Sequence, residues 1–114
     1  MRTTRDPGAL RTTDLLVLVI LGEGPMHGYA LAQALDDRTG GQVRVRPGDL
    51  YRVLYRLDRA GWLEEVPEAA RPSGDERRTY YRITPLGRRV AREQASMLWR
   101  AVAPLVRQPV KGAK

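Results

Sequence analysis

The chain has 114 residues, 42% of them hydrophobic, a formal net charge of +7 and no cysteine. This length allows one globular domain with its own core and is short for two. The missing cysteines exclude a disulfide framework, a thiolate metal site and a thiol nucleophile, and the positive field favours a polyanionic partner, either nucleic acid or an acidic membrane surface. Lysine stands only at Lys111 and Lys114, so nearly all the positive charge is arginine. That bias suits forked contacts to phosphates and base edges, and a GC-rich genome would produce it equally well. The longest apolar run, Leu15 to Leu21, is far below the roughly 20 residues that cross a bilayer, and no signal-peptide pattern opens the chain. A cytoplasmic protein with no membrane partner is expected.

Residues 1–11 carry Pro7, Gly8 and mixed charge without periodicity, and read as a flexible basic arm. Thr12 and Thr13 supply a cap and Asp14 a first-turn acid for a first helix to Leu21, whose unbroken apolar run by itself would also suit a buried strand. After Gly22, Gly24 and Pro25, the spacing of Tyr29, Leu31, Ala32, Ala34 and Leu35 predicts a second helix from near Met26 to Arg38, stopped by Gly40 and Gly41. Pro47, Gly48 and Asp49 open a third, which runs to about Ala60 before Gly61. On its wheel Leu50, Val53, Leu54 and Leu57 fall within roughly 100° of arc, while Arg52, Tyr55 and Arg59 lie opposite. One face belongs to the core and the other is cationic and aromatic.

Two strands are expected next, Trp62–Val66 and Thr79–Ile83, joined by a polar loop with Pro72, Ser73 and Gly74 at its tip and Arg77 and Arg78 on the returning side. Thr84 followed by Pro85 starts a final helix to about Arg107. From Ala95 its apolar residues cover most of the circumference, which suits a helix covered by another chain. Leu98, Trp99, Val102, Leu105 and Val106 are the candidate dimer contacts, and residues 108–114 form a short basic tail. The expected fold is mainly α with a small antiparallel β-hairpin: a winged helix-turn-helix over residues 12–84, then a dimerisation helix over 85–107.

Three local motifs resemble the PadR family of transcriptional regulators. They are His27-Gly28-Tyr29; Asp49-Leu50-Tyr51 with Leu54, Arg56-Leu57 and Gly61; and Tyr80-Tyr81-Arg82-Ile83-Thr84-Pro85-Leu86-Gly87. The likeness spans about Leu15 to Val102, and Arg52 stands where proline is more usual in such proteins. The resemblance implies a homodimeric repressor on a palindromic double-stranded operator, sometimes released by a small aromatic effector.

The candidate DNA-contacting residues are His27, Tyr29, Asp49, Tyr51, Arg52, Tyr55, Arg56, Arg59, Arg77 and Arg78. A helix fits the major groove, arginine forks onto guanine, and a basic hairpin reaches phosphates. His27 either faces DNA or caps its helix, and Tyr29 either packs on the third helix or meets a phosphate. Trp99 is a dimer anchor or, with its symmetry mate, the wall of an aromatic-ligand cleft. With one histidine, no nucleotide loop and no nucleophile elbow, neither an enzyme nor a cofactor or metal is expected. A winged module that docks on a partner protein without specific DNA binding is the rival function.

Overall fold

The computed structural model describes residues 10–108, so the arm expected over residues 1–11 and the tail over 108–114 lie almost wholly outside the described residues. In chain order the elements are α1 (Thr12–Leu21), β1 (Met26–His27), α2 (Gly28–Arg38), α3 (Pro47–Arg59), β2 (Leu63–Glu65), β3 (Tyr80–Ile83) and α4 (Pro85–Arg107). The strands form one antiparallel sheet in the order β1-β3-β2. A 3₁₀ turn at Glu68–Ala70 interrupts the hairpin loop. Four helices with this small sheet make a winged helix.

The core is built mainly on α1, which packs against α2, α3, β3 and α4. Val17, Leu18, Ile20 and Leu21 are all buried, and this enclosure explains the continuous apolar run. Its entry differs from expectation. Neither threonine caps it: Arg11 is the N-cap, and its backbone N–H donates to Asp14 Oδ2 at 3.3 Å.

The predicted second helix needs a larger correction. Met26 and His27 are strand, pairing with Tyr81 and Tyr80, and the helix begins at Gly28. His27 is extended and its ring Nδ1 accepts the Ala30 N–H at 3.2 Å, so the chain turns from strand to helix on one capping side chain. The sheet therefore has three strands, not the two of a simple hairpin.

In α3, Pro47 occupies the first turn, Leu50, Val53, Leu54 and Leu57 are buried, and Gly61 follows at φ +82°, a left-handed stop. β2 and β3 pair Leu63 with Ile83 and Glu65 with Tyr81.

β3 passes into α4 through Thr84 alone. The Thr84 hydroxyl accepts the Gly87 N–H at 3.0 Å and donates to the Gly61 carbonyl at 2.6 Å, while the Thr84 N–H donates to the Trp62 carbonyl at 3.1 Å. Gly87 lies directly on that carbonyl: a Cβ there would stand 1.8 Å from the Trp62 oxygen. Among the described residues no helix is long and apolar enough to cross a membrane.

Candidate nucleic-acid interface

The solvent face of α3 carries Tyr51, Arg52, Tyr55 and Arg59, all exposed. This follows from the helical period, since the four leucine and valine positions that anchor the helix leave these to project the other way. Each arginine on this face is braced within the helix. Arg52 reaches Asp49 Oδ1 at 2.5 Å, and Arg59 donates to the Tyr55 hydroxyl at 3.3 Å with its guanidinium carbon 5.8 Å from the ring centroid. Both braces are solvent-exposed, so opening either costs little.

Arg56 differs. Its Nη2 meets Asp14 Oδ1 on α1 at 2.5 Å, and the Asp14 side chain is only 3% exposed. Tyr51 also reaches back, because its hydroxyl lies over the start of α2, where a Cβ on Gly28 would approach it to 3.3 Å. Glycine at position 28 leaves room for that ring.

A second cluster forms at the root of the β2–β3 loop. The Arg78 guanidinium lies 2.8 Å from His27 Nε2 and 3.3 Å from Asp75 Oδ1, and the Tyr80 hydroxyl donates to Asp75 Oδ2. A neutral imidazole accepts at one nitrogen only, so the Ala30 N–H and Arg78 compete for the His27 lone pair. His27 stacks on Tyr29 at 6.5 Å and meets Tyr80 edge-on at 5.2 Å. Tyr29 is exposed and accepts a hydrogen bond from Gln33. The Asp75 carboxylate, by accepting from the hydroxyl, raises the Tyr80 pKa, and burial does the same to Tyr81.

Arg71 holds the loop to its base, donating to the Val66 carbonyl at 3.2 Å and the Glu76 carbonyl at 2.7 Å. Arg77 is exposed, with no side-chain partner among the described residues. The expected set thus divides. Asp49, Tyr51, Arg52, Tyr55 and Arg59 share one helix face; His27, Tyr29 and Arg78 gather at the loop root beside Arg77; and Arg56, half-exposed at the edge of the α3 face, also reaches α1 through Asp14. Elsewhere Asp36 pairs with Arg44 and Glu64 with Arg82.

Residues 17–93 match the Transcriptional regulator PadR-like family. The chain belongs to the PadR-like family of transcriptional regulators. A padR family transcriptional regulator from Eggerthella lenta is 34% identical and superposes with a TM-score of 0.62 over 86% of this chain and 84% of that one. A transcriptional regulator from Clostridium thermocellum is 26% identical, with a TM-score of 0.67 over 86% and 89%.

Two sequence relatives are uncharacterised proteins. One, a 37.1 kDa transposon protein of Streptomyces fradiae, is 35% identical over 80% of this chain, which spans only 25% of its length. The other, from Lysinibacillus sphaericus, is 33% identical over 66% of this chain and 67% of that protein.

The PadR-like motifs acquire physical meaning in this frame. His27 is the cap of α2, Gly28 the space for Tyr51, Thr84 the cap of α4, and Gly87 the contact with the Trp62 carbonyl. Sequence reasoning overlooked Asp14 as the buried partner of Arg56. Its available signal was a lone acid inside a helix otherwise apolar from Leu15 to Leu21.

The candidate dimer residues lie on the far half of α4. Leu105 is 76% exposed and Val106 64%, and Leu98, Trp99 and Val102 are also exposed, with the Arg107 guanidinium carbon 5.8 Å from the Trp99 ring centroid.

Proposed function

We propose that the protein is a homodimeric, sequence-specific repressor in which α3 enters the major groove and the β2–β3 loop grips the phosphates beside it. The observation that carries this is the α3 face, where Tyr51, Arg52, Tyr55 and Arg59 project from a helix anchored by four buried residues. Arg52 and Arg59 supply forked donors for base edges or phosphates, and Arg77 and Arg78 supply the flanking charge.

The exposed apolar half of α4 supports the dimer, since a second copy of the same helix is the simplest cover for Leu98, Trp99, Val102, Leu105 and Val106. Two α3 helices would then face successive major grooves, about one helical turn apart or a multiple of it, and read a palindrome. Trp99 in such an interface provides a planar wall for a small aromatic effector. Loss of its emission on titration with planar compounds is the test of that role, and an unchanged spectrum across a broad panel rejects it.

The decisive experiment is selection of duplexes from a random-sequence pool followed by footprinting. Protection of a palindrome, weakened by Arg52→Ala and Arg59→Ala and lost steeply with salt, is the expected result. Sequence-blind binding with no enrichment would overturn this function and favour a winged module that docks on a protein through α4.

A further inference from the structure

We propose that Arg56 is a positioning residue, which pins the reading helix to α1 through Asp14 and makes no contact with DNA itself. This rests on the proposal that α3 reads DNA. Each arginine of α3 has an acidic or aromatic brace, but the braces differ in what their release would leave behind. Asp49 and Tyr55 are exposed, so Arg52 and Arg59 leave their partners in water when they swing toward a base or phosphate.

Asp14 is not in water. Its carboxylate is 3% exposed and held by two donors among the described residues, the Arg56 Nη2 at 2.5 Å and the Arg11 backbone N–H at 3.3 Å. Moving Arg56 to a phosphate would strand a buried charge on one neutral donor. The Asp14 pair therefore keeps this guanidinium, although 42% exposed, from swinging out to a phosphate as Arg52 and Arg59 can.

The placement gives the pair a use. Residues 14 and 56 are far apart in sequence and join the first turn of α1, the helix that also packs on α4, to the last turn of α3. Apolar packing fixes how deeply α3 sits, while a directional ion pair also fixes its rotation and slide along α1. In the proposed dimer α4 links the subunits, so the chain Arg56–Asp14–α1–α4 sets the separation of the two reading helices. Arg56 thereby acts on operator spacing from the edge of the reading face, beside Tyr55 and Arg59.

The test uses duplexes enriched by the wild-type protein and compares Asp14→Asn and Arg56→Gln across a salt series, with random-sequence duplex beside them. Both variants are expected to weaken binding to the enriched duplex by about 10-fold or more, and Arg56→Gln to keep the wild-type salt slope because no phosphate contact is lost. Both should also tolerate two added base pairs between half-sites better than wild type.

A phosphate-contacting Arg56 gives the opposite pattern. Asp14→Asn would then free the guanidinium and bind as tightly as wild type or tighter, and Arg56→Gln would lower the slope by about 0.9. Either result overturns the proposal. If Asp14→Asn fails to fold, the Arg56→Gln slope and spacing tolerance decide alone. Should the wild type enrich no sequence, the DNA-reading function itself fails, an outcome distinct from variants that behave as contact mutants on a well-bound duplex.

Discussion

Gly87→Ala adds one methyl group at the point where α4 rests on the strand before it. That methyl would stand 1.8 Å from the Trp62 carbonyl oxygen, 2.7 Å from its carbon and 3.0 Å from Ile83 Cγ1. Two of the three obstacles are backbone, so no rotamer change relieves them, and the helix must retreat by more than about 1 Å. Retreat disrupts the Thr84 N–H bond to that same carbonyl and the Thr84 hydroxyl bond to Gly61. Overpacking costs about 1–3 kcal/mol and the two hydrogen bonds about 1 kcal/mol each. Alanine returns up to about 1 kcal/mol in helix propensity, which leaves a net loss of about 2–4 kcal/mol. For a domain of this size the midpoint of thermal unfolding should fall by about 8–16 °C.

Circular dichroism melting of Gly87→Ala beside Gly48→Ala is the assay. Gly48 is helical with nothing within 4 Å of an added Cβ, so the same chemical change there should raise stability by up to about 1 kcal/mol. A Gly87→Ala protein that melts at or above the wild-type temperature would refute the argument from close approach.

Asp49→Ala should leave folding unchanged within about 0.5 kcal/mol, because its pair with Arg52 is exposed, and should tighten duplex binding by at least about 3-fold, because Arg52 no longer has to leave a carboxylate to reach a base or phosphate; unchanged or weaker binding would count against that. Leu105→Glu should shift the protein toward monomer in sedimentation and weaken operator binding, while binding to a single half-site is preserved; an unchanged dimer would move the interface elsewhere. Alkaline titration followed at the tyrosinate absorbance should show Tyr80 and Tyr81 ionising after the ordinary tyrosines. Their folded pKa values lie above the unfolded one, so the stabilisation they contribute is complete below about pH 10 and is lost as pH rises through the folded values. Asp75→Asn should bring Tyr80 back toward the ordinary range, and an unmoved titration would deny the Asp75 hydrogen bond its assigned role.

Where backbone chemistry is local, the sequence already carries the structure. Pro47 and Gly61 bracket α3, and Thr84 with Pro85 starts α4, because the fixed φ of proline, the tolerance of glycine for positive φ and a capping hydroxyl each act within a few residues. The strand at Met26 and His27 left no such trace: two residues have no period, and their conformation is imposed by Tyr80 and Tyr81 across the sheet. The same division runs through the interface. The exposed face of α3 follows from the spacing of its buried residues, whereas the fate of Arg56 depends on a carboxylate on another helix. Its spacing and exposure resemble those of its neighbours, and only its buried partner on another helix sets it apart.

The single-residue junction at Thr84 makes the loop-bearing sheet and α4 parts of one lever. With 23 residues at about 1.5 Å each, α4 extends about 34 Å. A rotation of 10° at its root therefore carries the far end through about 6 Å. Gearing of this kind works in both directions. Whatever clamps the distal end of α4 holds the sheet at its base to a small fraction of that movement, and a twist too slight to alter the hydrogen bonds around Thr84 is felt at Trp99 and Leu105 as a displacement the size of a side chain.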